Sequence, residues 1–142
     1  MGQSDERAAP SRQVPLPDDL SAPYWQAARE GRLLLQRCSS CGEHQFYPRP
    51  FCLACRESDL KWVEATGRGR LHTFSVVHRT ADRAFAGDVP YAFGVVELDE
   101  GPRVTVNVVD TPLETLRCDM AVRVVFTKLD DEVALPNVRG DA

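Results

Sequence analysis

No apolar run in this 142-residue chain approaches the roughly 20 residues that a membrane-spanning helix requires. The opening "MGQSDERAAPSRQVPLPDDL" has no hydrophobic segment of the kind that directs secretion, and Glu6 stands where a myristoylation signal needs Ser or Thr. Basic charge is also scarce. Seventeen Lys and Arg against 21 Asp and Glu give a net charge of −4, which argues against a globally basic nucleic-acid binder and leaves room only for a local basic patch. Internal repeats, low-complexity tracts, a glycine-rich phosphate cradle and a nucleophile with an adjacent base are all missing. The expectation is a cytoplasmic protein without a membrane anchor, in which thiols stay reduced.

Cysteine is concentrated. Four of the five cysteines fall in "RCSSCGEHQFYPRPFCLAC", where Cys38, Cys41, Cys52 and Cys55 form C-x2-C-x10-C-x2-C. Each x2 turn lets two sulfurs converge on one ion, and the ten intervening residues can return the chain to complete a tetrahedron. Zinc is the first reading, with iron, a redox dithiol pair and coincidence as alternatives. Four thiolates fill zinc's coordination, so the role such an ion would have is structural. His44 is expected as an exposed loop residue rather than a fifth ligand. Cys118, in "LRCDM", lacks a nearby base and reads as a buried or edge-strand thiol.

The remaining segments divide the chain into an arm (1–20, with Pro10, Pro15 and Pro17), a helix with a cysteine ribbon (21–66), and a β domain (67–142). "SAPYWQAAREG" reads as a short helix with Ser21 as N-cap and Gly31 as terminator. "RLLLQRC" and "LKWVEA" read as strands flanking the cysteine knuckles, with a hairpin-like crossing at "HQFYPRP". Beyond Gly67, strands are expected at "GRLHTFSVVHRT", "YAFGVVELD", "PRVTVNVVD" and "AVRVVFTKL", with a shorter one at "EVALPNV". Val104, Val106 and Val108 share a face by alternation, as do Val122, Val124 and Phe126. "DEG" at Asp99–Gly101 reads as a tight turn and "TPLETL" as a short helical connection. Five strands so arranged suit a Greek-key barrel of the OB type, so the fold class is mainly β.

Candidate binding groups lie in two places. The connection "RTADRAFAGDVPY" places Arg79, Arg83, Phe85 and Tyr91 between two strands, joining anion-binding groups to aromatic anchors; the alternative is a solvated arginine-rich loop. Tyr47, Pro48 and Arg49 sit between the knuckles, where a metal would fix their direction, and Arg49 suits a phosphate or a carboxylate. His72 and His78 share strand parity but are about 20 Å apart along a strand, too far to act together. Glu97, Asp99 and Glu100 read as a solvated turn.

The ordered set "YWQAAREGRLLLQRCSSCG", "FYPRPFCLAC", "WVEATGRGRLHTFSVVHR", "PYAFGVVELDEG" and "MAVRVVF" resembles the DUF35 family over about Tyr24 to Pro136. The resemblance implies a rubredoxin-like zinc ribbon followed by an OB-fold domain. It also implies a noncatalytic accessory subunit in a hetero-oligomer, binding or channelling an acyl-CoA thioester for a thiolase-like or lipid-transfer-protein-like catalytic partner. Carried onto this chain, the four cysteines match the family's metal positions, and the "YPR" and "PY" segments bring Tyr47, Arg49, Phe85 and Tyr91 forward as CoA contacts, with Arg79 from the same loop. Relatives often carry Gly before "M-x-V"; here Asp119 follows Cys118, which puts a left-handed turn there in doubt. The rival reading is a single-strand nucleic-acid-binding module, for which Arg68, Arg70, Arg79 and Arg83 supply a local basic surface.

Overall fold

The computed structural model describes residues 11–141. The first half of the expected arm lies outside them; residues 11–17 follow the surface without regular structure. The chain then forms helix α1 (Ala22–Arg29) and strands β1 (Leu34–Cys38), β2 (His44–Gln45) and β3 (Leu60–Glu64). Strands β4 (Arg68–Val77), β5 (Tyr91–Leu98), β6 (Arg103–Val108), β7 (Ala121–Lys128) and β8 (Ala134–Gly140) complete it, with single 3₁₀ turns at Arg83–Phe85 and Leu113–Thr115.

Helix α1 buries Tyr24, Ala27 and Ala28, spaced at i, i+3 and i+4 as one helical face requires. Gly31, at φ +78°, ends it in the left-handed region that glycine tolerates. Ser21 occupies the N-cap position but its hydroxyl does not cap the helix. That hydroxyl donates to the Asp18 carboxylate at 2.6 Å, so the preceding turn, not the first helical turn, uses the serine.

The ribbon is a three-stranded antiparallel sheet in the order β2-β1-β3. The other five strands close a barrel in the order β4-β5-β6-β8-β7, with β4 also pairing β7. This is the strand order of an OB fold, and the connection before β7 carries the expected short helical turn. β8 is a full member, paired with β7 from Ala134 to Gly140, two residues further along the chain than "EVALPNV" places it, and Pro136 is accommodated opposite Phe126.

Alternation decides the barrel interior: Val104, Val106 and Val108 are buried while Arg103, Thr105 and Asn107 are exposed. Leu33 and Leu35 of the ribbon, Tyr24 of the helix and Leu71, Val96, Leu98, Val122 and Val138 of the barrel belong to one apolar core. Each such side chain taken from water stabilises the fold by about 1.5–3 kcal/mol, so ribbon and barrel support one another. β4 bends at His72, where the register to β5 passes from Leu71↔Val96 directly to Thr73↔Val95. The bulge leaves His72 unpaired and breaks the parity with His78. Asp119 adopts φ +65°, so the left-handed turn is made without glycine; an aspartate tolerates that region better than most residues. Cys118 is exposed in the turn just before β7, not in a strand.

Candidate metal centre and interdomain cleft

Two C-x-x-C turns face each other at the end of the ribbon. Each turn closes on its first cysteine: the Gly42 amide donates to the Cys38 carbonyl at 2.8 Å, and the Arg56 amide to the Cys52 carbonyl at 3.0 Å. All four sulfurs lie within 4.8 Å of one another, with Cys38–Cys55 and Cys41–Cys52 both at 3.6 Å. A disulfide would need about 2.05 Å. A tetrahedron of thiolates around zinc, with bonds of about 2.3 Å, has edges of about 3.8 Å, so the donor set is of the size and chemistry to hold such an ion. Cys38 and Cys52 are buried and the other two lie toward solvent.

The backbone amide of Cys41 pulls the Cys38 thiol down to about 7, and that of Cys55 lowers Cys52 in the same way. For Cys55 the Glu57 amide lowers the thiol, but burial and the neighbouring sulfurs outweigh it and raise the group to about 12. Gathering four ionised sulfurs at neutral pH therefore calls for a cation. His44 is no ligand in this arrangement; it lies half-buried in β2, opposite Arg37, rather than in an exposed loop.

The segment between the knuckles is pinned from below by two buried glutamines that face one another across β1 and β2. Gln45 Nε2 donates to Gln36 Oε1 at 2.9 Å, Gln36 Nε2 donates to the Arg49 carbonyl at 3.0 Å, and the Arg49 amide returns to Gln36 Oε1 at 2.9 Å. The Leu53 amide donates to Gln45 Oε1 at 3.0 Å. Sequence reasoning missed this pair. The available signal was a glutamine on each strand at positions that burial would otherwise assign to apolar side chains. The network leaves Phe51 and Leu53 on the surface of the second knuckle, 38% and 52% exposed.

Between ribbon, helix and barrel lies a cleft of about 510 Å³. Its walls are mostly apolar: Leu16, Trp25 and Phe46 on one side, Val106, Leu135 and Pro136 on the other. It exists because β6 and β8 meet only at Val108↔Val138, so their other ends splay. Tyr47 crosses part of the gap. Its hydroxyl accepts from the Thr105 amide at 3.4 Å, and the side chain remains 49% exposed. Tyr24 forms part of the same wall, 3% exposed, and its hydroxyl has no hydrogen-bond partner among the described residues. Burial, reinforced by the nearby Tyr47 hydroxyl, raises its proton affinity far above the ordinary tyrosine value.

The candidate binding residues thus separate. Tyr47 lines the cleft, whereas Arg49, Arg79, Phe85 and Tyr91 do not. Arg49 is held through its backbone and leaves its side chain exposed. Phe85 and Tyr91 pair with ring centroids 6.4 Å apart, and Arg12 lies over the Phe85 ring at 4.3 Å while donating to the Ala84 carbonyl and pairing with Asp88. Arg79 is exposed. Glu97 pairs with Arg103 at 3.2 Å, and Glu100 accepts from the Thr66 amide at 2.9 Å, tying the β5–β6 turn to the start of the barrel rather than leaving it solvated.

Two family models match in succession: the rubredoxin-like zinc ribbon domain of ChsH2 over residues 25–61 and its C-terminal OB-fold domain over residues 62–127. A DUF35 domain-containing scaffold protein of Methanocaldococcus jannaschii is 32% identical over 119 residues, covering 82% of this chain and 84% of the relative. The chain belongs to the DUF35 family. A probable enoyl-CoA hydratase alpha subunit of Thermomonospora curvata is 31% identical to the DUF35 chain over 137 residues, 96% of its length; the chain spans 42% of that relative. The benzoylsuccinyl-CoA thiolase subunit BbsA of Thauera aromatica is 30% identical over 125 residues, covering 84% of this chain and 80% of the relative. Among solved structures, a chain of the Ltp2-ChsH2(DUF35) aldolase superposes with a TM-score of 0.78 at 32% identity, covering 89% of the DUF35 chain and 98% of the other. No helix among the described residues is long and apolar enough to cross a membrane.

Proposed function

We propose that this chain is a noncatalytic accessory subunit, held together by a structural zinc ion, that binds or channels an acyl-CoA and completes a complex with a thiolase-like catalytic subunit. The observation that carries this reading is the match, over 89% of this chain and 98% of the other, to a chain of the Ltp2-ChsH2(DUF35) aldolase. Relatives named as a thiolase subunit and as scaffold proteins, matched over most of their length, support the same role. In this reading Cys38, Cys41, Cys52 and Cys55 hold the zinc, which supplies cross-linking and no open coordination position. The ribbon then presents Phe51 and Leu53 to a partner, since exposed apolar side chains on a rigid frame suit an interface core. Tyr47, Arg49, Arg79, Phe85 and Tyr91 supply aromatic and cationic contacts to the CoA. The nucleic-acid reading is weaker, because the chain carries a net charge of −4 and offers only the local basic group Arg68, Arg70, Arg79 and Arg83.

The test is affinity capture of the tagged chain, identification of any thiolase-superfamily protein retained, and reconstitution of the two purified components. Turnover of an acyl-CoA only when both are present supports the role. Full activity of the partner alone, with unchanged CoA affinity, overturns it.

A further inference from the structure

We propose that the cleft between the ribbon and the splayed strands β6 and β8 is a binding site for the acyl portion of the thioester, with the Tyr24 hydroxyl donating a hydrogen bond to a carbonyl of that ligand. The inference rests on the acyl-CoA reading and deepens it, since none of the arginines offered for the phosphates lines this cleft.

Three features of the site converge. The cleft's volume, about 510 Å³, falls in the range of about 300–1,000 Å³ typical of small-molecule sites. Its walls are apolar, and the polar groups that line it are few and placed at intervals: Ser21, Thr105, Asn107 and Asn137 beside the two tyrosines. Such a surface fits a largely hydrocarbon chain carrying an isolated carbonyl and suits a phosphate poorly. Finally, Tyr24 is almost wholly buried with an unpartnered hydroxyl. Buried hydroxyls are nearly always paired, and a donor without a partner in a ligand-sized cleft is the group a ligand acceptor satisfies. Tyr47 lines the same cleft: it is half exposed, and its hydroxyl is held only by the long contact to Thr105.

Titration calorimetry of the full, metal-loaded chain with decanoyl-pantetheine tests the assignment, with decanoate, pantetheine and CoA as separate arms. Binding of decanoyl-pantetheine, weaker binding of decanoate and little or none of pantetheine are expected, whereas CoA, held by groups outside the cleft, should bind without displacing decanoyl-pantetheine. Tyr24→Phe should weaken decanoyl-pantetheine roughly tenfold, as loss of a buried hydrogen bond does, while the unfolding midpoint stays level or rises because the unpaired hydroxyl is gone. Asn107→Trp, a replacement at an exposed strand position facing the cleft, should abolish binding. Equal affinity of wild type and Tyr24→Phe, or binding that CoA or pantetheine displaces and that ignores the acyl chain, overturns the proposal. Failure here is separable from failure of the accessory role. A complex that assembles and turns over normally with Asn107→Trp refutes the cleft alone, whereas acyl binding by a chain that captures no catalytic partner refutes the role and keeps the cleft.

Discussion

Replacing Cys52 with serine removes one of the four sulfurs and is the sharpest test of the metal centre. A structural zinc contributes about 10–16 kcal/mol of apparent binding, so an even share for one thiolate is on the order of 3–4 kcal/mol. Against a net stability of roughly 5–15 kcal/mol, that loss lowers the melting temperature by roughly 10–15 °C in a chain of this size. The structure also says where the loosening stops. The two turns, marked by the Gly42 amide on Cys38 and the Arg56 amide on Cys52, depend on the ion, whereas β1 and β3 pair over five residues and Leu33 and Leu35 share the barrel's core. Hydrogen exchange should therefore rise across the knuckles, residues 38–58, while Leu71 and Val96 stay protected. Elemental analysis of the wild type should give one equivalent of zinc per chain. A metal-free wild type, or a Cys52→Ser variant with unchanged melting and unchanged exchange, would refute the reasoning.

Other substitutions probe the frame. Gly94→Ala places a Cβ 2.6 Å from the Thr73 carbonyl oxygen and 2.7 Å from Leu71 Cδ1, and should destabilise by about 1–3 kcal/mol in chemical denaturation. Asp119→Gly relieves a residue at φ +65° and should stabilise by about 0.5–1 kcal/mol in the same assay. Because burial raises the Tyr24 phenol above its ordinary 10.0, its contribution is present below pH 10.0 and is lost as pH rises beyond it. Tyr24→Phe should accordingly flatten the alkaline fall in stability while leaving neutral pH little changed.

Much of the fold follows from local pattern. Alternation at Val104, Val106 and Val108 names the inner face of β6, and the paired C-x-x-C turns name the sulfur cluster, because both are set by neighbours in sequence. The bulge at His72 was illegible, since it arises from how β4 pairs β5 along its length and bends to meet β7. The cleft was equally hidden. Leu16, Tyr24, Phe46, Val106 and Leu135 come from five separate segments, and each taken alone reads as ordinary core or surface. Residue type alone singles out the binding candidates, and the fold separates them: Tyr47 joins the cleft, whereas Phe85, in the loop beneath Arg12, pairs with Tyr91 at the start of β5.

Reconstitution with the captured thiolase-superfamily subunit tests the central claim most directly. Measured as acyl-CoA turnover, the account predicts activity that requires both proteins and is lost when the metal-stripped ribbon is supplied. Equal turnover by the catalytic subunit alone, with the same KM for the thioester, would contradict it.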